Sequence, residues 1–194
     1  MGINFGTDGW RAIIADQFTF ENVAICTNAT LDYLKQHGLN KKGIAIGYDT
    51  RFESDKFAKL VATLTSNAKF ETFLFDRPSP TPVLSHYVVS NNLDAGIMIT
   101  ASHNPPEWNG FKIKTNLGSS APQSMIEEIQ KKINVLVTNH TKIPTSIDIT
   151  NNLVKPINPE INYINHIKSI IDLDVIKSTN LKIIVDSMYG SGQG

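Results

Sequence analysis

An α/β fold, a sheet layered with helices, is what this sequence predicts, on three observations. Strand-like and helix-like signals alternate through residues 43–136, which is the pattern of an α/β sheet. The strand candidates are short, continuous apolar runs such as Gly43-Ile44-Ala45-Ile46-Gly47-Tyr48 and Ala95-Gly96-Ile97-Met98-Ile99, as expected where both faces are covered. Each of these runs is followed by a loop rich in polar and turn-forming residues, where open α/β sheets meet their ligands.

Phe5 to Arg11 holds two glycines and an aspartate and reads as a turn-rich loop. Phe20 to His37 predicts a helix. Val23, Leu31 and Leu34, with Ala24 and Ile25, make its apolar face, and Gly38 stops it. A strand follows over 43–48, with Asp49-Thr50-Arg51 as its exit loop. Ser54 is read as the N-cap of a helix running to about Asn67, whose Phe57, Leu60, Val61 and Leu64 form one stripe. Glu71–Phe75 reads as a strand, and Arg77–Pro82 as a stiff turn. A helix runs from about Thr81 to Asn91, with Pro82 tolerated in its first turn. Asp94–Thr100 predicts a buried strand, Phe111–Thr115 a shorter one, and Ser124–Leu136 a helix. The Thr, Asn and Pro of 138–158 suggest a linker. Beyond it a helix is expected over Pro159–Asp172, then a strand over Leu181–Asp186 and a Gly-rich turn. The reading is thus one domain over 1–137, a linker over 138–158, and the start of a second domain over 159–194.

The bulk properties exclude several classes of function. The 194 residues carry 18 basic and 18 acidic side chains, a net charge of zero. Nucleic acid or an anionic membrane would call for a concentrated basic surface. A small anionic ligand needs only a few cations, and two of the three arginines, Arg11 and Arg51, lie in Gly/Asp-containing turns. The single cysteine, Cys26, rules out a disulfide framework and reads as a small buried hydrophobe. No secretory signal is visible at the N-terminus, and no run reaches the ~18 apolar residues of a membrane span. A cytoplasmic protein with no nucleic acid or membrane partner is the expectation.

The chemistry concentrates in Thr100-Ala101-Ser102-His103-Asn104-Pro105-Pro106-Glu107-Trp108-Asn109-Gly110-Phe111-Lys112. A serine and a histidine leave a buried strand on a loop stiffened by two prolines, and Asn-Gly turns the chain toward a lysine. Ser102 is placed to carry a group through its hydroxyl. His103, its neighbour, would point the other way on extended backbone, and no Gly-x-Ser-x-Gly elbow is present, which disfavours a hydrolase. A phosphoryl group on Ser102 would bring up to about two negative charges. Arg11, Lys112, His103 and a divalent metal could meet them. Asp49 and Arg51 read on spacing as an ion pair within their loop. Gly190-Ser191-Gly192 is a weak phosphate signal. His37, His86, His140 and His166 lack ligand spacing and read as structural or exposed.

Together these segments resemble the α-D-phosphohexomutases: phosphoglucomutases, phosphomannomutases and phosphoglucosamine mutases. Three motifs carry the resemblance in order and spacing: Phe5-Gly6-Thr7-Asp8-Gly9-Trp10-Arg11, Gly47-Tyr48-Asp49-Thr50-Arg51, and Thr100 to Lys112. The resemblance implies a three-layer α/β/α domain with a mixed sheet, of the phosphoglucomutase domain 1 type. It implies that Ser102 is the phosphoserine and that hexose 1-phosphate and hexose 6-phosphate interconvert through a hexose 1,6-bisphosphate. Mg²⁺ would be held partly through a phosphoryl oxygen on Ser102. Arg11 and Lys112 would assist proton transfer, His103 would contact the phosphoryl group, Asn104 would shape the loop, Asn109 would position Lys112, and Asp49 and Arg51 would support the loop. Small sugar phosphates are the implied partners. Asn-Pro-Pro-Glu-Trp-Asn-Gly-Phe-Lys looks more like the glucose/mannose branch than the glucosamine branch. The family's metal, sugar and phosphate loops belong to later domains, so the chain is expected to be an N-terminal piece, inactive alone. The alternatives are a phosphoglucosamine mutase or a non-catalytic sugar-phosphate-binding domain.

Overall fold

A computed structural model describes residues 2–6, 8–149 and 152–193. Strands β1 (Trp10–Ile13), β2 (Ile44–Tyr48), β3 (Thr72–Phe75), β4 (Ala95–Ile99), β5 (Trp108–Thr115) and β6 (Val154–Ile157) form one sheet in the order β1-β5-β4-β2-β3-β6. The pairs β4/β2, β2/β3 and β3/β6 are parallel, while β5 runs antiparallel to both β4 and β1. The sheet is therefore mixed. Helices α1 (Phe20–Gln36), α2 (Ser54–Asn67) and α4 (Gln123–Thr138) cover one face. Helix α3 (Thr81–Ser90) covers the other, where α5 (Glu160–Ile170) packs on it. The α/β/α reading is correct.

Alternation along each strand builds these layers. Ile44, Ile46, Ile97, Ile99, Phe111 and Ile113 point into the larger core, with Leu31, Leu34, Phe57 and Leu60 of the covering helices. Ala45, Phe75 and Met98 point the other way, against Leu84 and Val88 of α3. Cys26 is fully buried in α1, and burial pushes its thiol well above the ordinary value. From β2 the chain moves outward through α2 to β3, then returns through α3 on the opposite face to β4. The strand order thus reverses between β2 and β4, and the crevice beyond their carboxyl ends is a topological switch point.

Four local expectations are corrected. Trp10–Ile13, partly read as loop, is a strand whose residues alternate between core and the opposite face; the Gly/Asp composition around it masks the period of two. Strand β5 begins at Trp108 rather than Phe111, because Trp108–Gly110 pair with β1. Within the composition-defined linker, β6 joins the sheet edge beside β3, the position where Pro156 costs no ladder bond. Leu181–Asp186 forms no strand and lies exposed.

Gly110 shows how tightly the site's strand is held. A Cβ there would sit 2.4 Å from the Thr100 carbonyl oxygen and 2.9 Å from that of Trp10, both rigid backbone. Gly110→Ala is expected to destabilise the chain by about 1–3 kcal/mol, read as a lower urea midpoint at an unchanged m-value.

Candidate active site around Ser102

The loops leaving β2 and β4 flank the switch point, and Asp49 N–H donates to the Ile99 carbonyl at 3.1 Å to join them. Arg51 then fastens the second loop to the first. Its Nη1 donates to the carbonyls of Pro105 (2.7 Å) and Trp108 (2.9 Å), and its Nη2 to those of Ser102 (2.9 Å) and Asn104 (2.6 Å). One rigid guanidinium fork thus organises the whole serine loop. Asp49 orients that fork through Nε at 3.3 Å. The ion pair read from the spacing exists, and its guanidinium also serves the neighbouring loop.

Ser102 sits at φ 56°, in the left-handed region that is uncommon for a side-chain-bearing residue. A relay of bonds holds it there. Ser102 N–H donates to Thr100 Oγ1 at 3.0 Å, and the Thr100 hydroxyl donates to Asp49 Oδ2 at 2.5 Å. The Ser54 hydroxyl donates to Asp49 Oδ1 at 2.9 Å. Ser54 is therefore not the N-cap of α2. Glu53 holds that position at φ 61° without a side-chain cap bond, and Ser54 is spent on the site.

The strand register brings the cations to the serine. Arg11 lies opposite Gly110, so alternation places it on the same sheet face as Lys112. Lys112 Nζ donates to Ser102 Oγ at 2.7 Å and to Asp8 Oδ2 at 2.5 Å. Arg11 donates from Nη2 to Asp8 Oδ2 at 3.1 Å and from Nη1 to Asn104 Oδ1 at 2.7 Å. The Lys112 side chain is only 6 % exposed, whereas Ser102 is open to solvent. A hydroxyl is presented outward with a desolvated ammonium at its back.

Desolvation pushes the Asp8 carboxyl up, but the bond and charge of Lys112, with Ser120 and Lys114, outweigh it and hold Asp8 below its ordinary value. A depressed carboxylate pKa contributes stability that is present above the unfolded value, near 3.9, and is lost as pH falls through the native value. Asp8→Asn is therefore expected to flatten the acid limb of the unfolding midpoint measured between about pH 2 and pH 5.

Six of the eight predicted residues converge: Ser102, Arg11, Lys112, Asn104, Asp49 and Arg51. His103 is exposed and makes no hydrogen bond among the described residues, so no Ser-His relay forms. Asn109 does not reach Lys112. It lies on the other face of β5, fully buried, and its Nδ2 donates to Ser54 Oγ at 2.9 Å. Asp8, Thr100, Ser54, Lys114 and Ser120 belong to the network and were not read as site residues. Of these, Asp8 and Thr100 lie within the motifs quoted from the sequence, and Lys114 carried the signal of a spacing of two from Lys112 on a strand. The other histidines lie apart: His37 pairs with Glu128, and His86 lies against His166, their rings tilted by 30°. Among the described residues no group of three or more His, Cys, Asp or Glu converges to hold a metal.

A cleft of about 680 Å³ opens in front of Ser102. Asp49, Arg51, Phe52, Asn104 and Pro106 line it together with Ser187, Met188, Gly190 and Ser191.

Residues 2–139 match the family described as phosphoglucomutase/phosphomannomutase, alpha/beta/alpha domain I. The chain belongs to this family. A phosphoglucosamine mutase of Prochlorococcus marinus (strain AS9601) is 34 % identical over 189 residues, covering 96 % of this chain and 39 % of that protein. A phosphoglucomutase of Staphylococcus saprophyticus is 30 % identical over 199 residues, covering 97 % and 35 %. In fold, the chain is similar to the open form of the Paramecium phosphoglucomutase pp63/parafusin, with a TM-score of 0.79 at 18 % identity, over 98 % of this chain and 40 % of that one. The chain thus spans well under half the length of these relatives. Among its described residues no helix is long and apolar enough to cross a membrane.

Proposed function

We propose that this chain is the phosphoryl-carrier domain of a phosphohexomutase, with Ser102 as the carrier. One observation carries the reading: the Lys112 ammonium donates to Ser102 Oγ at 2.7 Å from a buried position. A serine hydroxyl is a poor leaving group and a poor nucleophile unless charge on its oxygen is stabilised. When phospho-Ser102 donates, the P–Oγ bond breaks, a bond from phosphorus to a sugar hydroxyl forms, and Oγ takes a proton from Lys112. The proton released by the sugar hydroxyl returns to the amine. Arg11, on the same sheet face and bonded to Asn104 of the serine loop, neutralises phosphoryl charge. Asp49, Thr100 and Arg51 keep the loop rigid, so little reorganisation accompanies transfer.

For the whole protein the proposed reaction is an isomerisation of hexose 1-phosphate and hexose 6-phosphate through a hexose 1,6-bisphosphate, in the cytoplasm, with residues 159–194 opening a second domain. The Mg²⁺ implied by the resemblance does not fit a site built from these residues alone. Asp8 and Asp49 are committed to cations and hydroxyls. A phosphoryl oxygen on Ser102 is the ligand this chain could offer, and the steps above run through side chains only.

The test is the intact mass of the chain, with peptide mapping, before and after incubation with glucose 1,6-bisphosphate and Mg²⁺. One phosphoryl group on Ser102, absent from Ser102→Ala, supports the carrier role. Absence of label in the whole protein overturns it. Turnover of glucose 1-phosphate against glucosamine 6-phosphate by the whole protein then assigns the sugar.

A further inference from the structure

Lys112 is held through a carboxylate that is itself held from behind. Asp8 Oδ2 takes the bonds from Lys112 and Arg11. Its other oxygen, Oδ1, accepts from Ser120 Oγ at 3.3 Å, and that hydroxyl accepts from Lys114 Nζ at 3.1 Å. An unbroken series of contacts therefore runs from Lys114 through Ser120, Asp8 and Lys112 to Ser102 Oγ.

Lys114 is an expensive residue for its place. It lies on a strand, 9 % exposed, two residues from another buried lysine. Burial pushes its ammonium pKa down, Asp8 partly offsets that, and Lys112 pushes it down further. An apolar side chain would fill the position without desolvating a charge. The charge balance is also specific. Arg11, Lys112 and Lys114 bring three cations around the Asp8 carboxylate, a net excess of two positive charges in the network that ends at the hydroxyl. A phosphoserine carries about two negative charges.

We propose that Asp8 is the positioning residue that aims the Lys112 ammonium at Ser102 Oγ, and that Ser120 and Lys114 form the arm that fixes it. With Oδ1 engaged by Ser120, rotation of the half-exposed carboxylate is restrained, which favours one direction for Oδ2 to hold Lys112. The consequence for phosphoryl transfer rests on the carrier reading of Ser102. The coupling among the five side chains does not.

The test separates the two. The Asp8 carboxyl is titrated by carbon-13 NMR in the 194-residue chain, in Lys114→Met and in Ser120→Ala. The groups facing Asp8 are Arg11 from β1, Lys112 and Lys114 from β5, and Ser120 from the loop after β5. The proposal expects the Asp8 midpoint to move upward in both variants. A midpoint unchanged in both overturns it. In parallel, Asp8→Asn is expected to slow phosphorylation of Ser102 by glucose 1,6-bisphosphate about 100-fold, with Asp8→Glu regaining part of the rate. Phosphorylation of Asp8→Asn at the wild-type rate also overturns the positioning role. The rates are read in the whole protein; failure of its wild type to take up phosphate removes the carrier reading instead, and the titration still decides the arm.

Discussion

Lys112→Met slows phosphorylation of Ser102 by about 10²- to 10³-fold, the effect of removing one preorganised donor from a developing oxyanion. Methionine nearly matches the lysine stem, so the buried space on β5 remains filled. Asp8 keeps Arg11 and Ser120 as partners, and the fold should survive. What is lost is the ammonium on Oγ. Because that contact strengthens as charge gathers on Oγ, the loss falls on the rate of transfer rather than on ligand affinity. Single-turnover labelling, followed by mass spectrometry of the Ser102 peptide, measures it directly. A Lys112→Met chain labelled at the wild-type rate would show that Lys112 is only a structural cation.

The larger effect on stability belongs to Arg51. Arg51→Met removes the donor that satisfies the carbonyls of Ser102, Asn104, Pro105 and Trp108 and leaves Asp49 without its guanidinium. The Arg51 and Asp49 side chains are each 12 % exposed, so water replaces little of the ion pair, while the Ser102 and Pro105 carbonyls can turn to solvent. Breaking a largely buried, hydrogen-bonded pair by deleting one partner costs about 3–5 kcal/mol. Urea unfolding reads this as a fall in midpoint. Arg51→Lys should rescue little, because one ammonium cannot present paired donors to carbonyls on two sides. A near-complete rescue by lysine would mean that charge, and not the fork, holds the loop.

The order of helices and strands was legible because burial imposes its period on the sequence. The apolar run of Ala95–Ile99 and the stripe of Phe57, Leu60, Val61 and Leu64 could have few other meanings. Elements whose stability comes from pairing rather than from their own pattern were harder to read. Trp10–Ile13 is a strand because β5 lies beside it, and Val154–Ile157 because β3 offers an open edge. The site divides in the same way. Ser102, Lys112, Arg11 and Arg51 stood out through residue type in a turn-rich setting. Thr100, Ser54 and Ser120 did not, since a hydroxyl gains its meaning from what lies across the fold, 51 residues away for Thr100 and Asp49. Asn109 went astray for a geometric reason. It is near Lys112 in sequence, but an odd spacing on a strand puts it on the opposite face.

The pairing of β4 with β5 places Met98 opposite Lys112 and Ile99 opposite Phe111, with the serine loop closing the hairpin between them. The reactive oxygen and the ammonium behind it therefore belong to one short stretch of chain. Closing a loop of this size costs little entropy, and such local contacts form early as a chain folds. Their alignment depends on register alone: a slip by one residue would turn Lys112 into the core and Phe111 toward the serine. The hairpin thus couples the two demands, since a one-residue slip that exposed Phe111 would also disarm Ser102.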